Sequence, residues 1–121
     1  GFLQDLPHTV IEAFKATLEE ITESDLIIDV IDVSDQFHED KHRAVRAVLS
    51  EIGADHIERL TAFNKVDRIE KREMRSRLRR KYPATILVSA KTGFGLDILR
   101  NEIVTMLKEK QKAHEHQNSI T

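Results

Sequence analysis

Three short apolar runs constrain what this chain can fold into: DLIIDVIDV at 25–33, RLTAF at 59–63 and ATILVSA at 84–90. All read as strands, and the first is β-branched and nearly continuous in apolar character, the pattern of a strand covered on both faces in a parallel sheet. None approaches the roughly 20 apolar residues of a membrane-spanning helix. Around these runs the period becomes helical. Val10, Ile11, Phe14, Leu18 and Ile21 recur at three- and four-residue steps behind a start signal at Pro7 and Thr9. Ala44, Val45, Val48, Leu49 and Ile52 form a second stripe, closed by Gly53. Ile69, Met74, Leu78 and Tyr82 share one face of the basic segment 68–81, which Pro83 ends. Leu96, Leu99, Ile103, Met106 and Leu107 mark a fourth helix beginning after Gly93 and Gly95.

The order helix, strand, helix, strand, helix, strand, helix predicts an α/β fold: a three-layer αβα arrangement with a parallel sheet of about three strands and four helices. A chain of 121 residues suffices for one domain. Residues 1–110 are assigned to it, and 111–121 read as a polar tail expected to fray. The absence of cysteine excludes disulfides and thiolate metal sites and agrees with a cytoplasmic setting. No signal-peptide pattern opens the sequence. His8, His38, His42, His56, His114 and His116 show no metal-ligand spacing within one element, so surface positions are expected for them and no metal ligand is assigned. Asp29 and Asp32 fall in a strand expected to be buried, where structural pairing or a helix cap accounts for them better than catalysis.

In a parallel α/β sheet, ligands gather beyond the carboxyl ends of the strands. Two polar groups of residues stand there: Asn64, Lys65 and Asp67 after RLTAF, and Ser89, Ala90 and Lys91 in SAKTG after the third run. Guanine presents an N1 hydrogen and an exocyclic amino group whose spacing matches the two oxygens of one carboxylate, so Asp67 can accept both. Adenine has neither donor on that edge, and a site built for such groups rejects an analogue lacking them by roughly 10⁴ to 10⁵. Asn64 can donate to the base or tie neighbouring loops together. The stem of Lys65 can lie along one purine face, the Ala90 N–H can serve the guanine O6, and Lys91 can cover the other face.

N-K-x-D after one strand and S-A-K after the next resemble the two base-recognition motifs of P-loop GTPases. With GFLQDLPHTVIEAFKATLEE, ADHIERLTAFNKVD and SAKTGFGLDIL, the chain closely resembles the GTPase domain of the HflX family of ribosome-associated GTPases, from Gly1 to about Leu107. The resemblance implies a partial P-loop GTPase fold, GTP or GDP with Mg2+ as cofactors, GTP hydrolysis by the intact protein, and the large ribosomal subunit with its RNA as partner. It places Gly1 at the close of the third GTPase motif. Phe2 stands where many GTPases carry a water-orienting glutamine, so these two residues would belong to a switch region. A phenyl ring cannot orient water by hydrogen bonding, and another group would have to do so.

The residues include no G-x-x-x-x-G-K-[ST] loop, no magnesium-binding switch threonine and no aspartate ahead of Gly1. The chain therefore reads as the second half of a G domain; the resemblance places the absent strands beside 25–33, and self-association is expected through the edge left open. Alone it is expected to be inactive and to hold no nucleotide tightly. Two charge-assisted hydrogen bonds contribute about 3–6 kcal/mol, against an association cost on the order of 4–15 kcal/mol. The alternative reading is a non-enzymatic module that grips RNA or protein through the basic helix 68–81, where phosphate contacts would make binding salt-sensitive.

Overall fold

The computed structural model describes residues 7–120; Gly1 and Phe2, the two switch-region residues, lie outside the described residues. The elements are α1 (His8–Thr22), β1 (Ile27–Asp32), α2 (His38–Glu51), β2 (Arg59–Asn64), a 3-10 turn at Val66–Arg68, α3 (Arg72–Lys81), β3 (Thr85–Leu87) and α4 (Leu96–Ile120). The strands form one parallel sheet in the order β1-β2-β3, with flanking helices, the arrangement expected of a partial G domain.

The middle strand carries the packing. Leu60, Thr61, Ala62 and Phe63 of β2 are all buried, because β1 and β3 pair along its two edges and helices cover its faces. Phe63, fully buried, aligns with Ile31 on one side and Leu87 on the other. Together with Val33 and Val66 these residues form one core cluster, against which Ile69, Leu78 and Tyr82 pack. Full burial of a phenylalanine side chain contributes about 1.5–3 kcal/mol. A second cluster of Leu49, Ala54 and Ile57 takes in Ile21, Ile27, Val45 and Ile52. Here helix cap and core coincide. Gly53 turns at φ +76°, its N–H donates to the Ser50 carbonyl at 3.1 Å, and the Ala54 N–H returns to the Leu49 carbonyl at 2.8 Å.

Several expectations are corrected. β1 is covered on one face only: Asp29 and Ile31 are buried, whereas Ile28 and Val30 are 41% and 63% exposed. The reason is the period of two: Ile28 and Val30 point to the face opposite Asp29 and Ile31, and no described element buries that face, while the outer edge of β1 also lacks a described partner strand. A groove of about 390 Å³ follows this edge, lined by Ile21, Ile28, Val30, Val45 and Val48. Phe14, assigned to the buried stripe of α1, is half exposed. The basic segment is not one helix, because the 3-10 turn ends before α3 starts at Arg72. β3 stops at Leu87, which sends Ser89 and Ala90 into a loop, and α4 continues to Ile120 where a frayed tail was expected. No helix among the described residues is long and apolar enough to cross a membrane.

His38 and His42 are also displaced from the expected surface. One turn apart on α2, they face Phe63 and Tyr82: His38 meets Phe63 edge-on at 5.8 Å between ring centroids, and His42 stacks on Tyr82 at 6.2 Å. Burial lowers the His42 pKa. Asp29 opposes that shift, while Arg59, Arg46 and His38 add to it. The unfolded chain, with its ordinary value of 6.5, therefore takes up the proton more readily than the folded one. The stabilisation is complete above that value and is lost as pH falls through the depressed folded pKa. Urea midpoints measured on either side of it should drop on acidification, and His42→Leu should flatten the drop; an equal drop in both proteins would refute the assignment.

Candidate functional site

Phe63 of β2 and Leu87 of β3 lie side by side, so the two strands end level. The ladder continues one step into the loops. The Val88 N–H donates to the Phe63 carbonyl at 2.8 Å, and the Val66 N–H donates to the Val88 carbonyl at 3.2 Å. Both exits are thereby held against each other, and Asn64, Lys65 and Asp67 come together with Ser89 and Ala90.

Two side-chain bonds join the loops. The Ser89 hydroxyl donates to Asp67 Oδ1 at 2.8 Å, and the Ala90 N–H donates to Asn64 Oδ1 at 3.0 Å. Ser89 is fully buried and also accepts the Thr92 N–H at 3.1 Å, so both capacities of its hydroxyl are used. Of the two roles open to Asn64, the structure displays the loop tie. The Ala90 N–H, read from sequence as a donor to a base carbonyl, is engaged by Asn64. Among the described residues Asp67 Oδ2 accepts no hydrogen bond, which leaves an oriented acceptor edge at the tip of the sheet. Lys91 is exposed on the second loop.

No family model matches the chain. Curated relatives do. It is 42% identical over 103 residues to "GTPase HflX" of Magnetococcus marinus, covering 85% of this chain and 24% of that protein. It is 36% identical over 115 residues to "GTPase HflX" of Escherichia coli K12 (94% of this chain, 27% of the relative). To "GTPase HflX" of Methanocaldococcus jannaschii it is 40% identical over 112 residues (88% and 28%). The chain belongs to the HflX family. It spans about a quarter of the length of the curated relatives it matches.

In this HflX-family chain β1 also contributes to the site, a role that the sequence reading did not give it. Lys65 adopts the left-handed conformation, φ 68° and ψ 30°, and its ammonium reaches Asp32 Oδ2 at 3.0 Å. Asp32 is set by Ser34, whose hydroxyl and N–H both donate to Oδ1, at 2.6 and 2.9 Å. The Ser34 hydroxyl is the main reason that the Asp32 pKa falls to about 2; partial burial opposes it, and Lys65 and the Ser34 N–H reinforce it. Such a partly exposed pair contributes about 0–1 kcal/mol, so its consequence is the direction of the Lys65 stem. Asp29 stays apart in the interior, with the Thr61 hydroxyl 3.5 Å from its Oδ2. The expectation of structural pairing thus holds for both aspartates, and Asp32, through its pair with Lys65, also borders the site. Its legible signal was a carboxylate at a strand end with serine two residues on.

The second HflX loop is closed by backbone. The Ser89 N–H donates to the Phe94 carbonyl at 2.9 Å and the Gly93 N–H to the Ser89 carbonyl at 2.8 Å. Gly95 then passes so close to β3 that a Cβ there would lie 2.2 Å from the Leu87 carbonyl oxygen, at a φ of +73°. No group of three or more His, Asp or Glu residues among the described residues is placed to hold a metal ion. Gly95→Ala should destabilise the fold by about 2 kcal/mol or more, from left-handed strain and the backbone clash together. The urea midpoint measures this, and an unchanged midpoint would contradict the close approach.

Proposed function

We propose that this chain carries the guanine-recognition loops of a GTP-binding protein that, when intact, hydrolyses GTP. The observation that carries the reading is the Ser89 to Asp67 bond of 2.8 Å. It orients the carboxylate while leaving lone pairs on both oxygens for the N1–H and amino group of guanine. In this reading the Lys65 stem, drawn toward Asp32, lies along one face of the base and Lys91 along the other. The Ala90 N–H passes from Asn64 to the guanine O6. The HflX relatives, named as GTPases, support the assignment.

The finer parts follow from the same reading. Magnesium and the phosphates are assigned to groups other than the described residues, Gly1 and Phe2 to a switch region, and the large ribosomal subunit to the intact protein's partners. The isolated chain is proposed to hydrolyse no GTP, since its residues contain no phosphate-cradling motif. The alternative, RNA or protein capture by α3, draws on exposed Arg72, Arg77, Arg79 and Arg80. It is weakened because two cations of that segment serve the fold: Lys81 pairs with Glu39, and Arg75 turns inward.

In the full-length protein Asp67→Asn should shift preference from guanine to xanthine nucleotides, because the 2-oxo group of xanthine accepts from an amide. Competition binding with both nucleotides measures the shift, and retained guanine selectivity would refute the assignment. The open edge of β1 is further proposed to pair with a second copy of the chain. Sedimentation at rising concentration should show mass above the monomer, abolished by Val30→Lys; a wild-type monomer throughout would reject this pairing.

A further inference from the structure

We infer that Arg75 is a positioning residue that clamps the two recognition loops into one surface; this rests on the guanine reading above. Arg75 sits in the first turn of α3, partly buried. Its Nε donates to the Ile69 carbonyl at 2.8 Å and a terminal guanidinium nitrogen donates to the Val66 carbonyl at 3.0 Å. Its guanidinium carbon also lies 5.8 Å from the centre of the Phe94 ring. Val66 is the residue between Lys65 and Asp67. Phe94 supplies the carbonyl that closes the Ser89 turn. One planar cation therefore grips the backbone of the first loop, its exit toward α3, and the ring of the second loop.

The chemistry favours arginine. A rigid fork delivers two donors in fixed directions and presents a flat face to an aromatic ring, which a lysine ammonium cannot do at once. Among the described arginines of 68–81, Arg75 alone makes side-chain hydrogen bonds to the protein, while its neighbours point to solvent. The Val66 carbonyl already accepts the Ile69 N–H at 3.0 Å, so Arg75 occupies its second lone pair and pins the 3-10 turn that presents Asp67. Without that pin the carboxylate keeps its serine partner but loses its fixed approach to the base.

The test uses the full-length protein and the ratio of its affinities for guanosine and inosine diphosphate. Inosine lacks the exocyclic amino group, so the ratio reports the alignment of Asp67, whereas a mere loss of stability leaves it unchanged. Arg75→Ala should lower the ratio about tenfold, the scale of one charge-assisted hydrogen bond. Arg75→Lys should restore it in part, and Phe94→Leu should lower it less than Arg75→Ala. Should Arg75→Ala fail to fold, the other two variants decide, and a wild-type ratio in both overturns the inference. Asp67→Asn is the control. If it switches preference to xanthine while all Arg75 and Phe94 variants keep the wild-type ratio, the clamp alone is wrong; if it does not switch, the guanine reading fails and the clamp with it.

Discussion

The structure depends on two parallel strands ending level. Phe63 and Leu87 share a register, and the backbone bonds through Val88 and Val66 carry that register past the sheet into both loops. Everything at the candidate site follows from this constraint. Asn64 and Ala90 are 26 residues apart in sequence yet joined by a 3.0 Å bond, because α3 carries the chain back to the end of the sheet where β2 starts, and β3, running parallel to β2, then finishes at the same rim. A parallel pair requires such a crossover, and the crossover brings successive loops to one rim.

Energetics and site geometry meet at β2. Its apolar side chains are buried by neighbours on both edges, whereas its last residue, Asn64, is only partly covered. That gradient lets Asp67 and Ser89 form a hydrogen bond in partial burial, where competing water is restricted. On the opposite flank the balance differs. β1 contributes Asp29 and Ile31 to the interior but leaves Ile28 and Val30 in solvent, so the packing of the sheet is concentrated between α2, α3 and the middle strand. The aromatic cluster of His38, His42, Phe63 and Tyr82 lies in that concentration. It contains the Nδ1 of His38, the one buried side-chain nitrogen or oxygen among the described residues that finds no hydrogen-bond partner.

The basic segment shows how uniform composition conceals division of labour. Arg72, Arg77, Arg79 and Arg80 face solvent, Lys81 pairs with Glu39 across to α2, and Arg75 turns under the first loop. A run of like charges carries no signal that separates these fates, since each arginine has the same propensity and the same charge. Contact with Val66 and Phe94 arises only when α3 packs beneath both loops.

The sequence by itself determined the alternation of helices and strands, the parallel sheet, the level of the polar residues at two strand ends, and the family. Each of these rests on local periodicity, turn chemistry or short motifs, which act within a few residues of chain. Only the tertiary structure decided that β1 is an edge with one open face, that Ser89 is buried against Asp67, that Asn64 engages Ala90, and that Asp32, Arg75 and Gly95 border the site. Those outcomes depend on which surfaces meet across tens of residues. Burial and hydrogen-bond choice are properties of the meeting surfaces, and no single segment contains both partners.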